Sequence, residues 1–212
     1  MAKNIFITAT NTDIGKTYAS LKLIKELSKQ GFRVGVFKPI ETGVIKTPID
    51  GVKLLKTVQK YNSDFKKFTV NDIVPIQYRL PSAPYIAKKG KKIDFKKIKK
   101  AYNKIAKVSD IVLIEGAGGL LVPITKNLFM IDLIKLFKAK TILITPSKLG
   151  CINDTLLSIE ALKKRDLKFI WCVNIYQNKK EFKKISLPFY KAKFKKILSL
   201  QKDITKICQE LI

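Results

Sequence analysis

The sequence predicts an α/β domain with a mostly parallel central sheet and helices on both faces. Two observations carry that reading. Short apolar runs recur along the chain, and Asp110–Glu115 (DIVLIE) and Lys140–Thr145 (KTILIT) are unbroken in the way of strands buried on both faces. Segments with apolar residues at helical spacing alternate with these runs, as they do in βαβ units.

Taken in order, Lys3–Thr8 (KNIFIT) reads as the first strand. A polar loop follows, and then a helix over Lys16–Lys29, with Ala19, Leu23 and Leu27 on one face and Gly31 where a C-terminal cap belongs. Arg33–Phe37 is a second strand. Asp50–Lys60 reads as helix. Pro75–Pro84, with three prolines, reads as loop. Phe95–Val108 interleaves apolar residues and lysines at helical spacing. Helices are expected at Met130–Phe137 and Ile152–Arg165, and a last core strand at Lys168–Asn174. From about Lys179 the chain is lysine-rich, with Phe182, Ile185, Phe189 and Phe194 interleaved. This reads as a basic amphipathic helix packed on the domain. Nothing marks a domain boundary or a repeat, so residues 1–212 are expected to form one domain.

Composition excludes several classes of function. The chain has 212 residues and no histidine, which removes Ser-His-Asp triads, Cys-His dyads and histidine-ligated metals. Cys151, Cys172 and Cys208 are widely spaced, odd in number and without a metal-binding spacing; each is expected to be a reduced packing residue. No stretch approaches the roughly 18–20 apolar residues of a membrane span. The N-terminus lacks the apolar region of a secretory signal, so the cytosol is the expected compartment, with no membrane partner. The net charge of +27 raises the question of nucleic acid. Only Arg33, Arg79 and Arg165 are arginines, whereas phosphate and base recognition draws on arginine forks. The lysines are also spread over outer helix faces, so no specific nucleic-acid role is expected.

The chemistry lies in three loops. Thr10-Asn11-Thr12-Asp13-Ile14-Gly15-Lys16-Thr17 stands between the first strand and first helix and ends as a phosphate-binding loop of the P-loop NTPase type does. Gly15 lets the backbone approach a phosphate, and the helix N-terminus offers free N–H groups. Lys16 can bridge the terminal phosphates of ATP, and the Thr17 hydroxyl can ligate Mg²⁺. The leading glycine of the usual pattern is replaced by Thr10. Lys38-Pro39-Ile40-Glu41-Thr42-Gly43 follows the second strand, which is expected to lie beside the first, so that Lys38 points into the same crevice. Glu115-Gly116-Ala117-Gly118-Gly119 ends an apolar run where an acid that holds Mg²⁺ normally sits.

These blocks together resemble dethiobiotin synthetase. TATNTDIGKT, FKPIETG, PSAPYIA, VLIEGAGGLLVPI and KLGCINDTLLSI stand in the family's order and spacing, over roughly residues 3–174. The resemblance implies a ligase of biotin biosynthesis that converts 7,8-diaminopelargonate, CO₂ and ATP into dethiobiotin, ADP and phosphate. It implies Lys38 and Lys16 as catalytic residues, and Thr17, Asp50 and Glu115 as magnesium ligands. Asp13, Ile14, Gly15, Lys16, Thr17, Tyr18, Asp50, Glu115, Gly116, Ala117, Gly118 and Asn174 would hold the nucleotide and its metal. Thr12, Thr42, Gly150, Cys151 and Asn153 would hold the substrate. The last three open a helix whose N–H groups would take the substrate's distant carboxylate across a dimer interface, which implies a homodimer. Two departures stand out: Ala9 replaces a usual glycine, and the region after Asn174 is shorter and more basic. The family's proline-containing loop that frames the base has no clear match, and Leu187-Pro188-Phe189-Tyr190 is the candidate remnant of it. The alternative reading is a regulatory ATPase of the chromosome- or division-site-positioning kind. Those proteins usually carry an additional lysine early in the loop, which Ala9, Thr10 and Asn11 do not supply.

Overall fold

A computed structural model describes residues 2–212. In chain order, the first half comprises β1 (Lys3–Ala9), α1 (Lys16–Lys29), β2 (Val34–Phe37), β3 (Ile40–Thr42), α2 (Ile49–Val58), a 3₁₀ turn (Ser63–Lys67), α3 (Val70–Ile73), β4 (Ile76–Tyr78), α4 (Pro84–Ala87) and α5 (Phe95–Ala106). There follow β5 (Ile111–Gly119), α6 (Asp132–Leu136), β6 (Lys140–Pro146), α7 (Cys151–Lys164), β7 (Phe169–Asn174), α8 (Lys179–Ile185), α9 (Leu187–Lys193), β8 (Leu198–Ser199) and α10 (Ile204–Leu211).

Six strands form one parallel sheet in the order β2-β5-β1-β6-β7-β8. Its central strands, β1, β5 and β6, are buried almost throughout because helices flank the sheet: α1 packs with α2 and α10, α5 against β2 and β5, and α7 against β6. Phe37 meets Phe137 edge to face at 5.8 Å, and Tyr102 lies 5.0 Å from Phe137. The Tyr102 hydroxyl donates to Asn4 Oδ1, so the polar end of the ring is satisfied inside the core. On α5, Ile98, Ala101 and Ile105 face inward while Lys96, Lys97, Lys99 and Lys100 stay in solvent, which is where much of the positive charge resides.

Four expectations need correction. The second strand does not lie beside the first: β5 is inserted between β1 and β2. Pro75–Pro84 is not all loop. Ile76–Tyr78 pairs in parallel with Ile40–Thr42, a small sheet that three prolines obscure because they stand outside the paired residues. β7 is not the last strand of the sheet, since Leu198–Ser199 adds an edge beside Cys172 and Val173. The basic segment is two short helices rather than one, because Pro188 cannot continue α8 and instead starts α9. Among the described residues no helix is long and apolar enough to cross a membrane.

Candidate active site

β1 and β5 deliver the two halves of the site to one end of the sheet. Ile7 is in register with Glu115, and the chain leaves β1 at Ala9 into the loop that closes at Gly15. The loop turns by left-handed backbone at Asp13 (φ 58°) and Gly15 (φ 100°). A Cβ at Gly15 would stand 2.3 Å from Asn174 Nδ2, so a side chain is excluded there by contact as well as by conformation. Asn174, at the end of β7, donates to the Ile14 carbonyl (2.8 Å) and accepts from Gln201 Nε2. The Gln201 side-chain Oε1 in turn accepts from the Ile175 N–H (3.0 Å), which ties the far end of the sheet to the phosphate loop.

Inside the loop, Lys16 Nζ donates to the Asn11 carbonyl at 2.9 Å. Burial first, and the neighbouring Lys38 second, push the Lys16 ammonium down to about 8. Lys38 leaves the end of β2 and reaches past the strand edge to Glu115 Oε1 (2.8 Å) and Asp50 (3.4 Å). Its burial alone would lower its pKa, but Glu115 and Asp50 outweigh that and hold it above the ordinary lysine range. Thr17 Oγ1 donates to the same Glu115 oxygen at 2.8 Å, and Ser20 Oγ to the other at 2.6 Å. Glu115 is thus fixed by three donors from two elements, at 1% exposure.

Asp50 is placed by another carboxylate. Glu41, on β3, accepts from the N–H groups of Asp50 (3.0 Å) and Gly51 (3.0 Å), so it caps the first turn of α2. Desolvation raises the Glu41 pKa against the opposing pull of Lys38. Gly51 is required at this point, because a Cβ there would meet Val74 at 2.3 Å.

A cavity of about 360 Å³ opens over these groups. Thr12, Asp13, Gly15, Lys16, Thr17 and Tyr18 line it from the loop, Lys38, Thr42 and Asp50 from one side, and Ala117 and Gly118 from the other. Glu115 and Gly116 are buried and do not line it; Glu115 connects to it through the lining residues Thr17 and Lys38, and Ile14 turns into the core. A larger groove of about 520 Å³ begins at Gly43 and runs between Ile45, Arg79, Leu80 and Pro81. It has no hydroxyl or carboxylate side chain in its lining, so the chemistry belongs to the smaller cavity.

Three expected residues lie elsewhere. Gly150 (φ 85°) precedes α7, Cys151 is fully buried and Asn153 is exposed, and none of them lines this chain's own cavity. Leu187 and Tyr190 pack with Cys151, Val173 and Phe182 beneath the start of α7, whereas Pro188 and Phe189 are exposed, and none of the four lines the cavity. Three side chains that shape the site, Glu41, Ser20 and Gln201, were missed by sequence reasoning. Ser20 follows Thr17 by three residues, on the same face of α1, and that spacing could have identified it. Gln201 carries no such signal, since β8 and its turn are not legible from the sequence.

A family model described as an AAA domain matches residues 3–206. Along the whole length, the chain is 45% identical to the ATP-dependent dethiobiotin synthetase BioD of Sulfurovum sp. (strain NBC37-1), an alignment that covers 98% of this chain and 99% of that protein. The chain belongs to the dethiobiotin synthetase family. The synthetase of Wolinella succinogenes is 37% identical over 99% of this chain and 98% of its own length. Among solved structures, the MinD cell division protein of Aquifex aeolicus aligns with a TM-score of 0.54 at 18% identity, covering 98% of this chain and 86% of that one. Cobyrinic acid a,c-diamide synthase of Mycobacterium smegmatis aligns at 0.52 and 14% identity, over 98% and 91%. At such identities these structures share the fold alone, and they do not draw this synthetase-family chain toward the regulatory ATPases.

The donor set suits a magnesium ion. Glu115 and Asp50 are hard oxygen donors that share the Lys38 ammonium, and Thr17 Oγ1 joins them through Glu115. Among the described residues no group of three or more His, Cys, Asp or Glu side chains could hold a metal, so a tight all-protein cage is absent.

Proposed function

We propose that this chain closes 7,8-diaminopelargonate and CO₂ into the cyclic urea of dethiobiotin, with MgATP as co-substrate. The observation that carries the reading is the convergence of Lys16, Thr17, Lys38, Asp50 and Glu115 on one cavity at the mouth of a phosphate loop. One amine of the substrate adds to CO₂ and loses a proton to form a carbamate, whose oxygen attacks the γ-phosphorus of ATP as ADP leaves. The second amine then closes the ring and expels phosphate. Lys16 binds the terminal phosphates, whose charge offsets the burial that depresses its pKa. Lys38, already held protonated by its acidic neighbours, stabilises the carbamate and the negative charge that develops on the transferred group. Thr17, Glu115 and Asp50 would hold Mg²⁺, which would supply charge neutralisation at the phosphate oxygens. Thr12 and Thr42 orient the diamine. Catalysis is positioning and charge neutralisation, so the absence of histidine is no obstacle.

The substrate's far carboxylate is assigned to the α7 N-terminus of a second copy in a homodimer. Two features support this: Gly150–Asn153 does not line its own chain's cavity, and Leu149 beside it is 73% exposed. The dimer is assigned to the cytosol.

The test is an assay with MgATP, bicarbonate and 7,8-diaminopelargonate, following dethiobiotin by mass spectrometry together with ADP. Product that requires all three, and is lost in folded Lys16→Ala and Lys38→Ala variants, is expected. ADP release without dethiobiotin would sink the synthetase reading and leave a nucleotide-hydrolysing switch in its place.

A further inference from the structure

The order of the strands sets the direction in which a nucleotide lies. Lys38 and Glu115, which serve the terminal phosphates in the proposed reaction, come from β2 and β5 on one side of β1. β7 stands on the other side, beyond β6, so the nucleoside end points toward the residues that leave β7. Those residues border the phosphate loop directly. Asn174 Nδ2 donates to the Ile14 carbonyl (2.8 Å), and the Tyr176 hydroxyl donates to the Asp13 carbonyl (3.4 Å). The Tyr176 ring remains 48% exposed beside the loop.

Two side-chain amides behind the loop are held in one orientation by backbone groups. A carbonyl only accepts, so Ile14 requires the Nδ2 end of Asn174. An N–H only donates, so Ile175 requires the Oε1 end of Gln201, to which Ser199 Oγ adds a longer contact at 3.4 Å. The remaining ends then face each other as donor and acceptor, and Gln201 Nε2 donates to Asn174 Oδ1. Asn174 is 2% exposed, so that oxygen is occupied inside the protein. Of the two Asn174 amide hydrogens, one is held by Ile14 and one is left.

Adenine and guanine both present N7 as an acceptor. They differ at position 6, where adenine carries an amino donor and guanine a carbonyl acceptor. The hydrogen that Asn174 retains suits N7 of either base. The oxygen that could accept from the adenine amino group is already held by Gln201. The Tyr176 ring offers a stacking face, and every base has a face to stack on it.

We propose that Gln201 is a specificity-determining residue: by occupying Asn174 Oδ1, it leaves a site that takes purine nucleotides without distinguishing adenine from guanine. GTP then drives the reaction as readily as ATP. This rests on the reading of residues 10–17 as the loop that holds the nucleotide's phosphates.

The experiment titrates MgADP and MgGDP by calorimetry into the wild type and into Gln201→Met. Methionine keeps the length of the side chain and removes the donor, which frees Asn174 Oδ1. The wild type is expected to hold the two nucleotides with Kd values within about two-fold of each other. Gln201→Met is expected to favour ADP by about five-fold, through one hydrogen bond gained by the amino group. Failure of both nucleotides to bind would overturn the phosphate-loop reading, and the proposal with it. A wild type that prefers either nucleotide by about five-fold or more would overturn the proposal and leave the synthetase reading intact. An even-handed wild type with an equally even-handed Gln201→Met would overturn the role of Gln201. Should Gln201→Met fail to fold, dethiobiotin formed by the wild type with ATP and with GTP is compared instead, and an ATP preference above about five-fold in kcat/KM overturns the proposal.

Discussion

Lys38 and Glu115, contributed by neighbouring strands, meet at 2.8 Å with 3% and 1% of their side chains exposed. Two buried charges of this kind are held by each other and by the Thr17 and Ser20 hydroxyls, and removing one leaves the other uncompensated. Glu115→Ala is therefore expected to cost about 3 kcal/mol or more of stability, because the Lys38 ammonium retains only longer contacts, to Asp50 and to the Gly116 carbonyl, each at 3.4 Å. The double variant Lys38→Met/Glu115→Ala, which removes both charges, should recover most of that loss. Both variants should be inactive. Urea unfolding and the dethiobiotin assay together check this; a double variant no more stable than Glu115→Ala alone would show that the pair does not act as a unit.

Acid should act on the fold at Asp72. Its carboxylate accepts from the Thr69 N–H (2.9 Å) and hydroxyl (2.7 Å) and pairs with Lys104 (3.2 Å), closing a capping box at α3. Desolvation would raise its pKa, yet these partners together lower it below the ordinary 3.8. A carboxyl whose folded pKa is depressed contributes stability at pH above its unfolded value and loses it as pH falls through the folded one. Asp72→Ala is thus expected to lower stability by about 1 kcal/mol at neutral pH, with the gap to the wild type closing as pH falls below the ordinary 3.8 and through the lowered folded value. Unfolding midpoints measured across that range decide it; a gap independent of pH would mean that the carboxylate's charge does not matter.

The sequence made the central strands and α1 legible for the same reason that it made the phosphate loop legible: each is a local pattern. Lys16–Lys29 matches the helix observed, and the apolar runs at 110–115 and 140–145 lie within or almost within β5 and β6. Strand order is not local. Nothing in Arg33–Phe37 tells whether it pairs with β1 or with β5, and Lys38 still reaches the site only because its side chain is long enough to cross to Glu115. The pairing of Ile40–Thr42 with Ile76–Tyr78 joins residues far apart in sequence, and short strands among prolines carry too little periodicity to reveal it. The role of Glu41 was hidden likewise. In sequence it is one acid in KPIETG, and only the fold sets it under the N–H groups of Asp50 and Gly51.

Gly15 and Asn174 offer the sharpest test of the phosphate loop. An alanine at position 15 meets two separable penalties: a left-handed backbone (φ 100°), costing roughly 1–2 kcal/mol, and a Cβ 2.3 Å from Asn174 Nδ2. Relief of the second by moving Asn174 would break its bond to the Ile14 carbonyl, at about 1 kcal/mol. Gly15→Ala should therefore lose about 2–3 kcal/mol and bind ADP much more weakly. In Gly15→Ala/Asn174→Ala the contact is gone but the backbone strain remains, and the hydrogen bond to Ile14 is lost in any case. The double variant should accordingly be no less stable than Gly15→Ala alone, even though Asn174→Ala by itself destabilises the wild type by about 1 kcal/mol. Thermal unfolding of the four proteins, with ADP titrated into each, measures this coupling. Strictly additive losses would mean that Asn174 does not restrain the loop at Gly15.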